Sequence, residues 1–397
     1  MKCKYILVLN CGSSSIKFAI FSVENNKHIY HGIIDNINSS NCHLSYTARG
    51  KLNGEHSDIS STQDALLTIT NIIKKDSDVC NKLIAIGHRV VHGGNYFKSA
   101  TLINQDNLLN LKKTISLAPL HNHANILGIE QCLLAFPKLK NIAVFDTAFH
   151  ARMPSVANTY AINPDIANKY GIKKYGFHGI NHQYVYNQAT KFMKNPKANI
   201  ISAHLGNGAS ICAIKAGISI DTSMGFTPLA GLVMGTRCGD IDPGAHQFLA
   251  KKLKLNITEI TDMLNKKSGL LALSKCSYDM RQLEKKYNAN DQNAILAINV
   301  FCYKVAQYIA SYMVPLQTCD AIIFTGGIGE NSPFIRSLII SHLNFLNLKL
   351  CHKSNNDQTN INNLISQETS KMSIFTIKAN EEIMIMKSTY EIINRGN

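Results

Sequence analysis

The sequence predicts an α/β protein made of two similar halves. An apolar run, a polar glycine-bearing turn and a second apolar run occur at residues 6–21 and again at 200–214. Further apolar runs with polar ends stand at 82–94, 141–150 and 321–332, separated by segments of helical spacing. A chain of 397 residues also exceeds what one core usually serves. The boundary between the halves falls near residue 151.

Residues up to about 50 alternate strand-like runs with turn residues. Residues 105–117 and 124–136 have helical spacing. The segment 291–315 predicts a long amphipathic helix, because Ile298, Phe301, Val305, Ile309 and Tyr312 recur at steps of three and four. Residues 352–371, rich in Asn, Ser and Gln, predict a loose loop.

Composition narrows the class. Hydrophobic residues make up 45% and charged residues 17%, which leaves ample core. No uninterrupted apolar run approaches the ~18 residues of a membrane helix. Lys2 and Lys4 precede only a short apolar run, less than the roughly 7–15 apolar residues of a signal peptide. The 11 cysteines include no C-x-x-C and stand singly, which suits a reducing compartment. A cytoplasmic protein is expected, with no membrane partner. The net charge of +15 comes from lysines spread along the chain, with no basic block, no Trp and no aromatic interleaving, so nucleic acid is not an expected partner. Arginine is rare, and three of the seven sit in glycine-rich or histidine-rich motifs, where a planar fork would matter.

The chemistry-bearing residues lie in polar, glycine-flanked motifs. "NCGSSSIK" (10–17) reads either as a polar hairpin turn or as a turn whose backbone N–H groups, hydroxyls and lysine approach a phosphate. It is not G-x-x-x-x-G-K-[ST]. "HLGNGAS" (204–210) offers the same alternatives. "FTGGIGENS" (324–332) suits the edge of a nucleotide pocket. "HRVVHGG" puts Arg89, and "FDTAFH" puts Asp146, at the end of an apolar run. "KKYGFHGINH" clusters His178 and His182, and "MGTRCGDIDP" sets Arg237 among glycines. A histidine zinc site is the sharper rival, but H-E-x-x-H and clustered thiols are missing.

In this order and spacing, from Lys4 to about Lys387, the motifs resemble the acetokinase family, with "DTSMGFTPL", "GLVMGTR" and "NEE" as further matches. That family belongs with the sugar kinases, actin and the heat-shock chaperone ATPases. The resemblance implies two duplicated ribonuclease-H-like (actin-like ATPase) domains with an interdomain cleft. These are 1–151, to which the C-terminal helix 382–397 returns, and 152–381, which binds the nucleotide. It implies reversible, direct in-line phosphoryl transfer between ATP and acetate, giving acetyl phosphate and ADP, by a Mg2+-dependent homodimer, with Mn2+ as an alternative ion. Propionate kinase is the close alternative and butyrate kinase a distant one. A non-metabolic ATPase of the same fold is a third.

The resemblance also assigns roles. Asn10 and Glu381 would hold the metal. Lys17, Ser13 and Ser15 would approach the ATP phosphates, and His204, Leu205, Gly206, Asn207 and Gly208 would form the second phosphate loop. Asp279, Met280 and Arg281, with Gly327, Ile328, Gly329, Glu330 and Asn331, would line the adenosine pocket. Arg89 would bind the carboxylate substrate, and Val91, Leu120, Phe177 and Pro228 would wall a pocket favouring acetate over propionate. Asp146, His178 and Arg237 would be the catalytic set. Because ionised acetate has no proton to give up, Asp146 is expected to orient Mg2+ through water or to hold Arg89 or Arg237. Cys11 and Cys238, near the metal and an arginine, are expected to favour the reactive thiolate.

Some positions depart from the family pattern. His123 replaces a proline, Ile180-Asn181 a Thr-Ser pair, Ala230 a glutamate, Cys238 a serine and Ala379 a threonine.

Overall fold

The computed structural model describes residues 3–39, 41–56, 59–357 and 363–395, except for the side chains of Glu55, His56 and Leu120. The chain forms two compact units, Met1–Ala151 with Asn380–Asn397, and Arg152–Ala379.

Unit 1 is built on one sheet. Its strands are β1 (Tyr5–Cys11), β2 (Ile16–Ser22), β3 (His28–Asp35), β4 (His43–Ala48), β5 (Lys51–His56), β6 (Leu83–Val90), β7 (Thr101–Leu102) and β8 (Lys140–Phe145). They lie in the order β5-β4-β3-β2-β1-β6-β8-β7. Strands β1 to β5 form an antiparallel meander, and β1, β6 and β8 run parallel. The parallel strands are apolar almost throughout because both faces are covered. The helix Thr62–Lys75 supplies Ala65, Leu66, Ile69 and Ile73 to one core, capped by Ser61, whose Oγ accepts from Asp64 N. The opposite layer includes the C-terminal helix Glu381–Asn394, which buries Met384, Ile385, Met386, Thr389 and Ile393 and packs against β1, β6 and β8. Gly87 marks the closest approach: a Cβ there would stand 2.8 Å from Ile385 Cγ2.

Unit 2 has a sheet of β9 (Asn199–Leu205), β10 (Ala209–Lys215), β11 (Ile218–Thr222), β12 (Ala321–Thr325), β13 (Asn363–Leu364) and β14 (Ser373–Thr376), in the order β11-β10-β9-β12-β14-β13. Its β11-β10-β9 meander is antiparallel, and β9, β12 and β14 run parallel. The run β3-β2-β1-β6-β8 of unit 1 has the same sequence of pairings, so the repeated strand–turn–strand signal reflects a repeated sheet topology.

The long helix is Gln292–Ser311, a little shorter than its periodicity predicts. With its continuation to Leu316 it is long and apolar enough, by length and composition, to cross a membrane. Its Ala297, Ile298, Phe301, Val305 and Ile309 are buried, and it packs against the helices Gly269–Ser274, Met280–Asn288 and Pro333–Ser341, so this apolar face is core. The segment 352–371 is not all loop: it holds the helix His352–Asn356 and β13, while residues 358–362 lie outside the described residues.

Candidate functional site

In unit 1 the polar residues collect because β1, β6 and β8 are parallel and end together. Asn10, Arg89 and Asp146 stand at their carboxyl ends, the usual ligand position in such sheets. Asp146 is buried, and its Oδ1 and Oδ2 accept from Arg89 Nε at 3.1 Å and Nη2 at 2.6 Å. Arg89 Nη1 donates to Asn10 Oδ1 at 3.2 Å, and Glu381 Oε2 lies 3.7 Å from Arg89 Nε. Burial pushes the Asp146 carboxyl above its ordinary value, against the pull of Arg89. Burial also opposes the charge on Arg89, but Asp146 and Glu381 overcome it and hold Arg89 above its usual value. Glu381 owes its place to Asn380, whose Oδ1 caps the C-terminal helix by accepting from Ile383 N at 3.1 Å. Carboxylates in a first turn are favoured by the helix dipole.

"NCGSSSIK" is a hairpin, closed by Cys11 pairing with Ile16 and by Gly12 N donating to Ser15 O at 2.8 Å. Ser13 and Lys17 are exposed on it, and Ser15 is half-buried. Cys11 corrects the sequence expectation. Its thiol is buried and pushed up to about 12, and burial raises the half-buried Cys238 as well, so both are held as thiols. Loss of water around sulfur is the largest cause at both thiols.

Two residues that sequence reasoning missed brace this end of the sheet. Asn125 accepts from Val91 N at 3.0 Å and donates to Cys11 O at 2.6 Å, tying the ends of β6 and β1. Asn122 accepts from His92 N at 3.0 Å and donates to His92 O at 2.8 Å. Both are buried on the helix Pro119–Ala135. The available signal was two asparagines three apart, on one face of the helix.

In unit 2, β9 and β12 are parallel neighbours with Thr325 beside His204, so both glycine-rich turns leave the same end of the sheet. The β9–β10 turn is tight, with Gly206 N donating to Gly208 O at 3.1 Å. Gly326 has φ +79°, and a Cβ there would stand 2.7 Å from Leu205 O, so only glycine lets the two turns lie this close. A Cβ on Gly208 would lie 3.5 Å from His178 Nε2 and 3.7 Å from Arg237 Nη1, which places the imidazole and the guanidinium beside the turn. His178 is left-handed (φ 57°) where it starts the helix Gly179–Phe192, an uncommon conformation for a residue with a side chain. Its Nδ1 meets Ser210 Oγ at 2.9 Å, and its ring stacks on His204 with centroids 4.3 Å apart. Arg237 donates to Pro228 O at 3.1 Å. Burial pulls its pKa down, and no carboxylate pairs with it among the described residues.

Next to these turns is a cavity of about 900 Å³. Its lining includes Gly206, Asn207, Asp279, Gly327, Ile328 and Asn331, so three separate stretches of sequence meet there, together with Met280 and Arg281. Tyr278 and Lys285 also line it. Lys285 stands one turn beyond Arg281 on the helix Met280–Asn288 and was legible from that spacing. Leu205 is buried beneath the turn, and Gly329 is buried too. The Glu330 carboxylate is committed to backbone, with Oε1 accepting from Gly326 N and from Ala379 N, each at 2.8 Å. Val91 is buried in unit 1 and Phe177 in unit 2, Pro228 is half-buried in unit 2, and the Leu120 side chain lies outside the described residues.

Residues 5–387 match the model of the acetokinase family. The chain belongs to the acetokinase family. It is 46% identical to an acetate kinase of Francisella tularensis subsp. holarctica, with 98% of this chain and 99% of that one covered. It is 40% identical to an acetate kinase of Caldicellulosiruptor saccharolyticus, over 98% and 100% of the two chains. Among solved structures it matches a propionate kinase from Francisella tularensis subsp. tularensis (TM-score 0.93, 45% identity, 98% and 99% covered). It also matches the acetate kinase of Porphyromonas gingivalis (TM-score 0.90, 35% identity, 98% and 100% covered). The acetokinase chain shares with these structures the two-domain, actin-like ATPase fold class that its sequence predicts.

Proposed function

We propose that the chain is an enzyme that transfers a phosphoryl group reversibly between ATP and acetate, giving acetyl phosphate and ADP. Family membership over nearly the whole chain supports the reaction class. The observation that carries the reading further is the Arg89–Asp146 pair in unit 1.

An acetate oxygen attacks the γ-phosphorus, an O–P bond forms, and the bond to the β,γ-bridging oxygen breaks as ADP leaves. Both partners are anionic, so the site has to supply positive charge and alignment. Acetate is ionised near neutral pH and has no proton to give up, so a general base has no task in this direction. Asp146 instead fixes the plane of the Arg89 guanidinium through two hydrogen bonds, leaving Nη1 on Asn10 Oδ1, and Arg89 so held would receive the carboxylate substrate. Asp146 is therefore a positioning residue. In unit 2, His178 and Arg237 offer an N–H and an uncompensated cation beside the phosphate turn, and the cavity takes the adenosine.

A magnesium ion fits the donors in unit 1. Asn10 Oδ1 and the Glu381 carboxylate are hard oxygens, and both lie beside Arg89. No group of three His, Cys, Asp or Glu that could hold a metal occurs among the described residues. Mg2+ needs no such cage, since one or two carboxylates, water and substrate phosphates suffice. When bound, it supplies charge neutralisation at the β- and γ-phosphates. Asn10 and Glu381 would hold it. Free cysteines throughout the described chain support a reducing, cytoplasmic setting. Exposed Leu296, Tyr303 and Val314 offer apolar surface for a second copy in a homodimer.

Propionate is the second candidate acid, favoured by the likeness to the Francisella propionate kinase structure. The deciding experiment mixes the protein with ATP, Mg2+, hydroxylamine and either acetate, propionate or butyrate. Acetyl hydroxamate should form fastest. Propionyl hydroxamate in excess would reassign the substrate, and no hydroxamate with continuing ATP hydrolysis would make the chain a non-metabolic ATPase.

A further inference from the structure

Asn181 stands where the family pattern has serine, and it is completely buried in the first turn of the helix Gly179–Phe192. Its Nδ2 donates toward His204 Nδ1 at 2.8 Å and Thr325 Oγ1 at 3.3 Å, while its Oδ1 has no hydrogen-bond partner among the described residues. An amide NH2 has only protons to offer, so the ring nitrogen it meets must present a lone pair. The His204 proton then belongs on Nε2. A second proton on this ring would set N–H against N–H across 2.8 Å.

The other face of His204 explains why this matters. A Cβ on Gly206 would stand 3.9 Å from His204 Nε2, so that nitrogen lies at the glycine turn. The ring stacks on His178 at 4.3 Å, with an angle of 28°, and His182 lies 6.4 Å away edge-on. Two stacked imidazolium ions would repel strongly. The partner ring, His178, has its Nε2 at Gly208.

We propose that Asn181 is a positioning residue that fixes His204 as the neutral Nε2–H tautomer, presenting one N–H donor to the 204–208 turn. The functional part of this inference rests on reading that turn as a phosphate loop. The tautomer does not.

The test is a two-bond 1H–15N correlation spectrum of the full-length protein labelled with 15N-histidine, with His204 assigned by its loss in His204→Gln. The wild type should show His204 protonated at Nε2 and bare at Nδ1. Asn181→Asp keeps the shape but replaces the donor by an acceptor, so His204 should become protonated at Nδ1. Hydroxamate formation should fall at least tenfold in kcat, with KM for acetate little changed. A wild-type His204 protonated at Nδ1 overturns the proposal. So does an Asn181→Asp protein with a native circular dichroism spectrum and an unchanged His204 pattern. The wild-type spectrum decides alone should that variant fail to fold. If the tautomer is as stated but the wild type makes no acyl hydroxamate, the functional reading fails and the tautomer assignment stands.

Discussion

Arg89 shows how one side chain is specified by its neighbours. A guanidinium in a largely buried place needs its protons matched, and Asp146 matches two of them from the next parallel strand. Removing one member of such a pair costs about 3–5 kcal/mol, because the other charge stays buried. Asp146→Asn also frees the guanidinium plane that the two hydrogen bonds fix, so kcat/KM for acetate should fall by at least about a hundredfold. An acidic limb of kcat present in wild type and lost in the variant, with unchanged Mg2+ dependence, would instead make Asp146 a proton acceptor. Arg237 has the opposite environment: a half-buried cation with no carboxylate against it among the described residues. Arg237→Lys keeps the charge and loses the fork, so kcat should fall at least about tenfold with a smaller change in KM for ATP. A near-normal kcat would give Arg237 a structural role. Cysteine reactivity follows exposure. Cys3 and Cys276 are exposed, whereas Cys11 is buried with its thiol pushed up to about 12. Alkylation at neutral pH, read by peptide mass spectrometry, should mark Cys3 and Cys276 first and Cys11 only on unfolding. Early labelling of Cys11 that MgATP prevents would contradict this.

At the scale of elements, the C-terminal helix is the part that most depends on fit. Asn380 caps it, Glu381 begins it, and Gly87 on β6 lets it approach the sheet. A methyl at residue 87 would crowd Thr389 and Ile385. Overpacking of this kind costs about 1–3 kcal/mol. Gly87→Ala should lower the melting temperature by several degrees and weaken acetate phosphorylation, because Glu381 moves with its helix. An unchanged melting curve would show that the contact relaxes without cost. The glycines of "FTGGIGENS" were legible as a turn, but Gly326 is required by the Leu205 carbonyl, which comes from a strand more than a hundred residues away in sequence.

For the whole molecule, the chain leaves unit 1 after Ala151 and re-enters it at Asn380. Unit 1 therefore lacks part of its core until the last residues are present. Met384, Ile385, Met386 and Ile393 are buried there. Each contributes roughly 1.5–3 kcal/mol on burial, and their sum is comparable with the about 5–15 kcal/mol of a typical domain. A chain ending at Ala379 should lose hydrogen-exchange protection in β1, β6 and β8 while unit 2 keeps its protection and binds ADP. Native protection of those three strands in the truncated chain would refute the dependence.

Local elements and family membership were legible from the order of residues alone. Apolar runs broken by glycine-bearing turns specify strands and hairpins because those choices depend on near neighbours, and the ordered motifs carry the family across nearly the whole length. Features that depend on distant neighbours emerged only in the folded chain. Asn122 and Asn125 became braces only once their helix met the ends of β1 and β6. Glu330 turned out to serve the backbone of Gly326 and Ala379. Cys11 became a buried thiol, and Asn181 became a donor to His204 because β9 passes beside its helix. Local pairs such as Asp279 with Arg281 are visible in sequence spacing, but the Arg89–Asp146 pair and the burial of Cys11 are set by distances across the fold.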